Sequence, residues 1–405
     1  MKKISFAIIA LHLSFLASVA QTNKDSTYKS RKLKLDEVNI VSSYYHQEGN
    51  SSPITGGIGT EKLSDIESTL ELKLSFRDKK NRKHNLLLDA GISYYTSASS
   101  DKIDPNTISS ASSSDTRFFP SVSYTVNNEE KGISVGANTS YSNEFDYNSF
   151  GYGISLSKTS RDKNSEALLK LNVFQDVYTI IPPIELRDPS TLIPSGANTR
   201  TPRYQYATKP RDTYAASFIF SQVINMRFQV ALLCDVAYQQ GFLSTPFHRI
   251  YFNNGTEGLE VLPSSHFKVP VGIRANYFLG DRIIVRTFYR YYQDDWGLKS
   301  HTFNIETPIK LTPFVSLSPF YRFYVQSAVK YYGAFEQNDA LSTYHTTDDD
   351  LSNFTANFLG LGIRLSPPKG VVGIKNFNLL ELRYGFYKRS NGLVSSIVSL
   401  NLRFK

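Results

Sequence analysis

The chain has 405 residues, a formal charge of +9, and 27 Phe and 26 Tyr against a single Trp. Its mean hydropathy is −0.29, and past residue 20 no apolar run is long enough for a membrane-spanning helix. Charge is spread without a basic helix or stripe, which argues against nucleic acid as a partner. The lone Cys234 excludes an internal disulfide and a cysteine-built metal centre.

Residues 1–20 read as a secretory signal. Lys2 and Lys3 form the basic start, Ile4 to Leu16 the apolar stretch, and Ser18-Val19-Ala20 the small residues before a cut at Gln21. Losing the two lysines takes the charge from +9 to +7. No Cys follows the cut, so a lipid anchor there is not expected. Residues 21–36, with Lys24, Lys29, Arg31, Lys32 and Lys34, read as a flexible basic periplasmic lead-in.

Residues 37–405 alternate apolar and polar side chains in segments of about ten, the pattern of a transmembrane antiparallel up-and-down β-barrel. Sixteen strands are predicted, with fourteen as the alternative: Val38–His46, Ile66–Arg77, Leu86–Thr96, Arg117–Val126, Ile133–Asn143, Ser149–Thr159, Glu166–Ile181, Thr213–Ile224, Phe228–Gln239, Phe267–Leu279, Ile283–Asp294, Lys299–Leu311, Phe314–Ser327, Asn353–Ser366, Asn378–Arg389 and Leu393–Phe404. Connection lengths support the count. With Val38–His46 ascending, the long connections (47–65, 97–116, 182–212, 240–266 and 328–352) all fall outside. The short turns then fall in the periplasm. A soluble sandwich would alternate too. Strands near twelve residues are long for one, and a signal followed by a terminal amphipathic strand ending Phe404-Lys405 favours the barrel. Cys234 shares the outward face of its strand with Leu232 and Val236 and reads as a small apolar residue.

The richest lumenal pattern lies on four consecutive strands. Arg274, Arg286, Arg290, Lys310 and Arg322 point inward with one carboxylate, Glu306. Counting through the Gly280–Arg282 turn sets Arg274 beside Phe288 and Glu306 level with Arg286. Rings of Arg and Lys line anion-selective pores. The same cluster also fits a network bracing the wall, with Asp235, Asp89, Glu71 or Glu381 as counter-charges. Inward Leu233, Phe278, Ile284, Phe288, Phe320 and Leu379 suggest a partly filled interior.

Ser244 and His248, four apart in one loop, are the rim candidates for hydrolysis. No nucleophile-elbow motif supports them. Asp348-Asp349-Asp350 lacks the calcium-loop signature and reads as a solvated acidic patch. No metal and no cofactor is expected.

Several strings carry a resemblance: Gly56-Gly57-Ile58-Gly59-Thr60-Glu61-Lys62-Leu63, Tyr238-Gln239-Gln240-Gly241-Phe242-Leu243-Ser244-Thr245-Pro246-Phe247-His248-Arg249, Val269-Pro270-Val271-Gly272-Ile273-Arg274-Ala275-Asn276-Tyr277 leading into Leu279-Gly280-Asp281-Arg282, Phe288-Tyr289-Arg290-Tyr291-Tyr292 and Leu311-Thr312-Pro313-Phe314. Together these resemble an uncharacterised Gram-negative outer-membrane family catalogued as domain of unknown function 3570. The resemblance covers nearly the whole mature chain. It implies an outer-membrane β-barrel and no activity, and it transfers no functional residue.

The expected function is an outer-membrane channel or substrate-specific porin for small polar, anionic solutes. The alternatives are a non-transporting barrel that acts as scaffold or export partner for an envelope protein, and a rim hydrolase. Outer-membrane lipid, lipopolysaccharide and the barrel-insertion machinery are the expected partners, with a periplasmic or surface protein as a further one. The expected location is the outer membrane of a Gram-negative bacterium.

Overall fold

Alternation at period two gives each segment one apolar and one polar face, and such strands bury their backbone polar groups only by pairing on both edges. A computed structural model, which describes residues 32–96, 114–181, 192–193, 203–204 and 206–405, shows that pairing carried to closure. Its barrel strands are β1 (Lys34–Gly49), β2 (Glu61–Arg77), β3 (Lys83–Thr96), β4 (Ser114–Asn128), β5 (Ile133–Asn143), β6 (Tyr147–Thr159), β7 (Ser165–Ile180) and β8 (Ala207–Asn225). They continue as β9 (Phe228–Gly241), β10 (Ser265–Leu279), β11 (Ile283–Asp294), β12 (Lys299–Glu306 resuming at Ile309–Lys310), β13 (Val315–Gln326), β14 (Phe354–Leu365), β15 (Phe377–Arg389) and β16 (Val394–Phe404).

Each strand pairs antiparallel with its neighbours in sequence. The first and last close the ring from Val38 opposite Phe404 to Glu48 opposite Val394. The barrel therefore has sixteen strands, as the connection lengths predicted. The expected signal, most of the lead-in and much of connections 97–116 and 182–212 lie outside the described residues. Strand ends differ from expectation by a few residues; β1 begins at Lys34, inside the segment read as lead-in.

One strand differs in kind. The segment expected to run unbroken from Lys299 to Leu311 is interrupted at Thr307–Pro308. Pro308 has no N–H for the ladder, so one bond to β11 is lost there, but the register does not shift: Glu306 faces Arg286 and Ile309 faces Ile283 in one frame. Around the gap Ile284 N–H donates to Pro308 O at 3.1 Å, and Thr307 N–H donates to Pro319 O at 3.0 Å.

The outward face carries an apolar belt that includes Leu156, Leu171, Phe220, Leu232, Ile273, Leu361 and Leu382, all exposed. Exposed aromatic residues flank it, with Tyr44, Tyr214, Tyr238 and Phe267 toward the end with the long connections and Tyr124, Tyr277 and Phe314 toward the other. A belt between aromatic girdles is the surface a barrel presents to hydrocarbon. Cys234 is exposed in this belt. We call the ends outer and inner accordingly.

Candidate functional site

The register of β10 to β15 lays out the basic wall. Arg274 lies opposite Phe288, and Arg286 opposite Glu306. Arg322 lies opposite Asn304 on one side and Phe358 on the other. Arg286 Nη1 is 3.6 Å from Glu306 Oε1. The other Glu306 oxygen is held by a residue the sequence reading missed: Arg383 Nη2, at 3.3 Å. Arg383 Nη1 meets Glu381 Oε1 at 3.0 Å.

Arg383 sits three strands from Glu306 and reaches it across small neighbours. It lies opposite Gly362, where a Cβ would meet Arg383 Cγ at 3.3 Å, and its guanidinium rests 5.0 Å over the Phe320 ring. The signal for it was present. Arg383 shares the inward parity of Glu381, two residues earlier.

Arg274, Arg290 and Arg322 have no ion-pair partner among the described residues, although Arg322 rests 5.8 Å from the Phe358 ring centre. The wall is therefore net positive. Of the four counter-charges named from sequence, only Glu381 reaches an arginine. Glu71 accepts from Asn39 Nδ2 at 2.6 Å, and Asp89 accepts from Ser121 Oγ at 3.1 Å. Asp235, inward on β9 opposite Ser217, has no ion pair among the described residues. Lys310 lies toward the inner end of β12, opposite Ser316, and of the others only Arg286 borders the same cavity.

Across the lumen, the wall of β1 to β9 borders a cavity of about 810 Å³ lined by Asn39, Glu71, Asp89, Phe119, Asp176 and Thr213, among others. On that side the arginines are matched. Arg211 pairs with buried Asp176 at 2.8 Å, and Arg117 with Glu144 at 3.4 Å. The interior is thus part aromatic filling, part open space.

Loop residues 50–60, 242–264 and 327–353 meet at the outer mouth. Backbone bonds tie the loops together: His345 N–H to Val261 O at 2.9 Å, Asn253 N–H to Asn338 O at 2.9 Å, and Glu336 N–H to Tyr251 O at 3.1 Å. Ile250, His248, Thr346 and Thr347 are buried where they meet. A second cluster, Trp296, Leu298 and Val329, packs on inward Tyr292, and Trp296 stacks on His266 at 3.8 Å.

Ser244 and His248 are not brought together as a reactive pair. Ser244 Oγ accepts from Leu262 N–H at 2.9 Å. The His248 ring bonds Thr347 Oγ1 through Nε2 at 2.9 Å, and its Nδ1 lies 3.6 Å from Glu260 Oε1. Burial holds the imidazole pKa down and pushes the Glu260 carboxyl up.

The three aspartates act as loop anchors. Asp348 accepts from Asp350 N–H at 2.8 Å, Asp349 from Tyr332 OH at 2.9 Å, and Asp350 pairs with Arg389. Among the described residues no group of His, Cys, Asp or Glu is arranged to hold a metal ion.

No curated protein matches the chain. Similar solved structures include a BenF-like porin from Pseudomonas fluorescens Pf-5, 10% identical, covering 91% of this chain and 98% of that one, with a TM-score of 0.42. OpdQ of Pseudomonas aeruginosa is 9% identical over 91% and 97%, with a TM-score of 0.41. A bacterial polysaccharide outer membrane secretin is 12% identical over 91% and 98%, with a TM-score of 0.43. The family described as "Protein of unknown function (DUF3570)" matches residues 5–391, and the chain belongs to that family.

Proposed function

We propose that this chain is an outer-membrane channel for small polar solutes that favours anions. The observation that carries the reading is the unequal pairing of the lumen. Arg117 and Arg211 each have a carboxylate, whereas Arg274, Arg290 and Arg322 have none among the described residues. A wall built only for bracing would pair its cations, because an unpaired charge in a confined space is costly. Fixed charge left over attracts counter-ions from solution. The apolar belt and its aromatic flanks support the outer-membrane location.

We read the chain as a non-enzyme. What supports this is that His248, Thr347 and Glu260 are buried and Ser244 is bonded to backbone, so the rim pair Ser244 and His248 is not open to a substrate.

The test is single-channel conductance of the refolded mature protein in a planar bilayer under a salt gradient. Discrete steps with an anion-biased reversal potential are expected. A barrel that is folded by heat-modifiable gel migration yet electrically silent would overturn the channel reading. The folded cap of loops at the outer mouth favours a second reading, a barrel that is closed alone and serves an envelope partner. That reading predicts silence together with a co-purifying protein.

A further inference from the structure

We infer that a cation-lined cavity at the inner mouth of the lumen is a binding site for a phosphate group. Beside Pro308 lies a cavity of about 270 Å³. Four cations from three separate strands and one turn border it: Arg282, Arg286, Lys310 and Arg364. Ser316, opposite both Lys310 and Arg364 in register, adds a hydroxyl.

Three of the four cations have no carboxylate. Arg286 is 3.6 Å from Glu306, whose other oxygen is taken by Arg383. Glu381 faces Arg364 in register, but its side chain is bonded to Arg383 at 3.0 Å. Asp281, next to Arg282 in the turn, makes no ion pair with it. Arg282, Lys310 and Arg364 are therefore unmatched among the described residues.

Like charges held around one space repel, and an oxyanion between them removes that repulsion. Phosphate suits the arrangement better than chloride or a carboxylate. It carries up to two charges at neutral pH and offers several acceptor oxygens to donors arriving from different directions, including forked guanidinium groups.

The inference rests on the channel reading only for the solute's route of access. Binding is therefore measured without any current. Inorganic phosphate is titrated calorimetrically into the detergent-refolded mature barrel at low ionic strength, with chloride as the comparison anion. Phosphate is expected to bind in preference to chloride. Lys310→Gln and Arg364→Gln are each expected to weaken it about ten-fold, the loss of one charge-assisted contact.

Lys310→Arg should retain binding, and Arg161→Gln, in another inner turn, should leave it unchanged. Heat-modifiable migration checks that each variant is folded. Equal affinity for chloride, or unchanged affinity in the Lys310→Gln, Arg364→Gln double variant, would overturn the site. Anionic phospholipid recovered from the purified protein, and lost in the double variant, would uphold the site and place the phosphate on a lipid headgroup. A barrel that binds phosphate but passes no current would uphold the site while sinking the channel reading.

Discussion

Replacing Glu306 by Gln removes one negative charge from the basic wall and keeps the side-chain shape. Five guanidiniums, Arg274, Arg286, Arg290, Arg322 and Arg383, face two carboxylates, Glu306 and Glu381, so the local balance of +3 becomes +4. The stability cost is modest. A hydrogen bond to a charged group contributes about 1.5–3 kcal/mol. Here the Arg286, Arg383 and Glu306 side chains are 49%, 31% and 20% exposed, so solvent screens the contacts. Arg383 also keeps Glu381. A total loss of about 1–2 kcal/mol follows.

The electrostatic consequence is larger. With a Debye length of about 10 Å at 0.1 M salt, the added charge acts across much of the lumen; at 1 M, where it falls to about 3 Å, it does not. The assay is the reversal potential of single channels in a KCl gradient at both salt levels, with thermal unfolding in parallel. Glu306→Gln should move the reversal potential further toward chloride, and more so at low salt. No shift, or a shift toward potassium, would mean that this wall does not face the conducting path.

Other outcomes follow from the packing and the loops. A Cβ at Gly360 would lie 2.2 Å from the Tyr384 backbone oxygen and 2.4 Å from the Phe320 ring, so Gly360→Ala should cost about 1–3 kcal/mol in thermal unfolding, and an unchanged midpoint would contradict the close approach. Burial, and then the neighbouring Asp350 charge, pushes the Asp348 carboxyl up to about 6. A raised carboxyl stabilises the fold fully below its unfolded range near 4, and that contribution is lost as pH rises through about 6. Asp348→Asn should therefore protect the outer loops from proteolysis more than wild type at pH 7.5 and equally at pH 4; equal protection at both would refute the burial argument. Cys234, exposed on the outward belt, should resist a membrane-impermeant thiol reagent in vesicles and react in urea; labelling in intact vesicles would place that face outside the bilayer.

Much of the barrel was legible in the residues because its rules are local. Period-two alternation identifies a strand with unlike faces, and a short antiparallel turn fixes register, since a slip by one residue turns every side chain to the wrong face. That is why counting through Gly280–Arg282 set Arg274 beside Phe288, and why Glu306 was placed level with Arg286. The unbroken register past Pro308 was likewise legible, since the alternation continues on either side of it.

What lay beyond adjacent strands was decided only by the closed structure. Arg383 meets Glu306 because β13 and β14 offer Phe320 as a surface and Gly362 as a gap, a path that no pairwise count of neighbours reveals. His248 meets Thr347, ninety-nine residues away, because three loops converge over one mouth. Alternation says which way a side chain points. Closure of the ring and the meeting of its loops determine what it finds there.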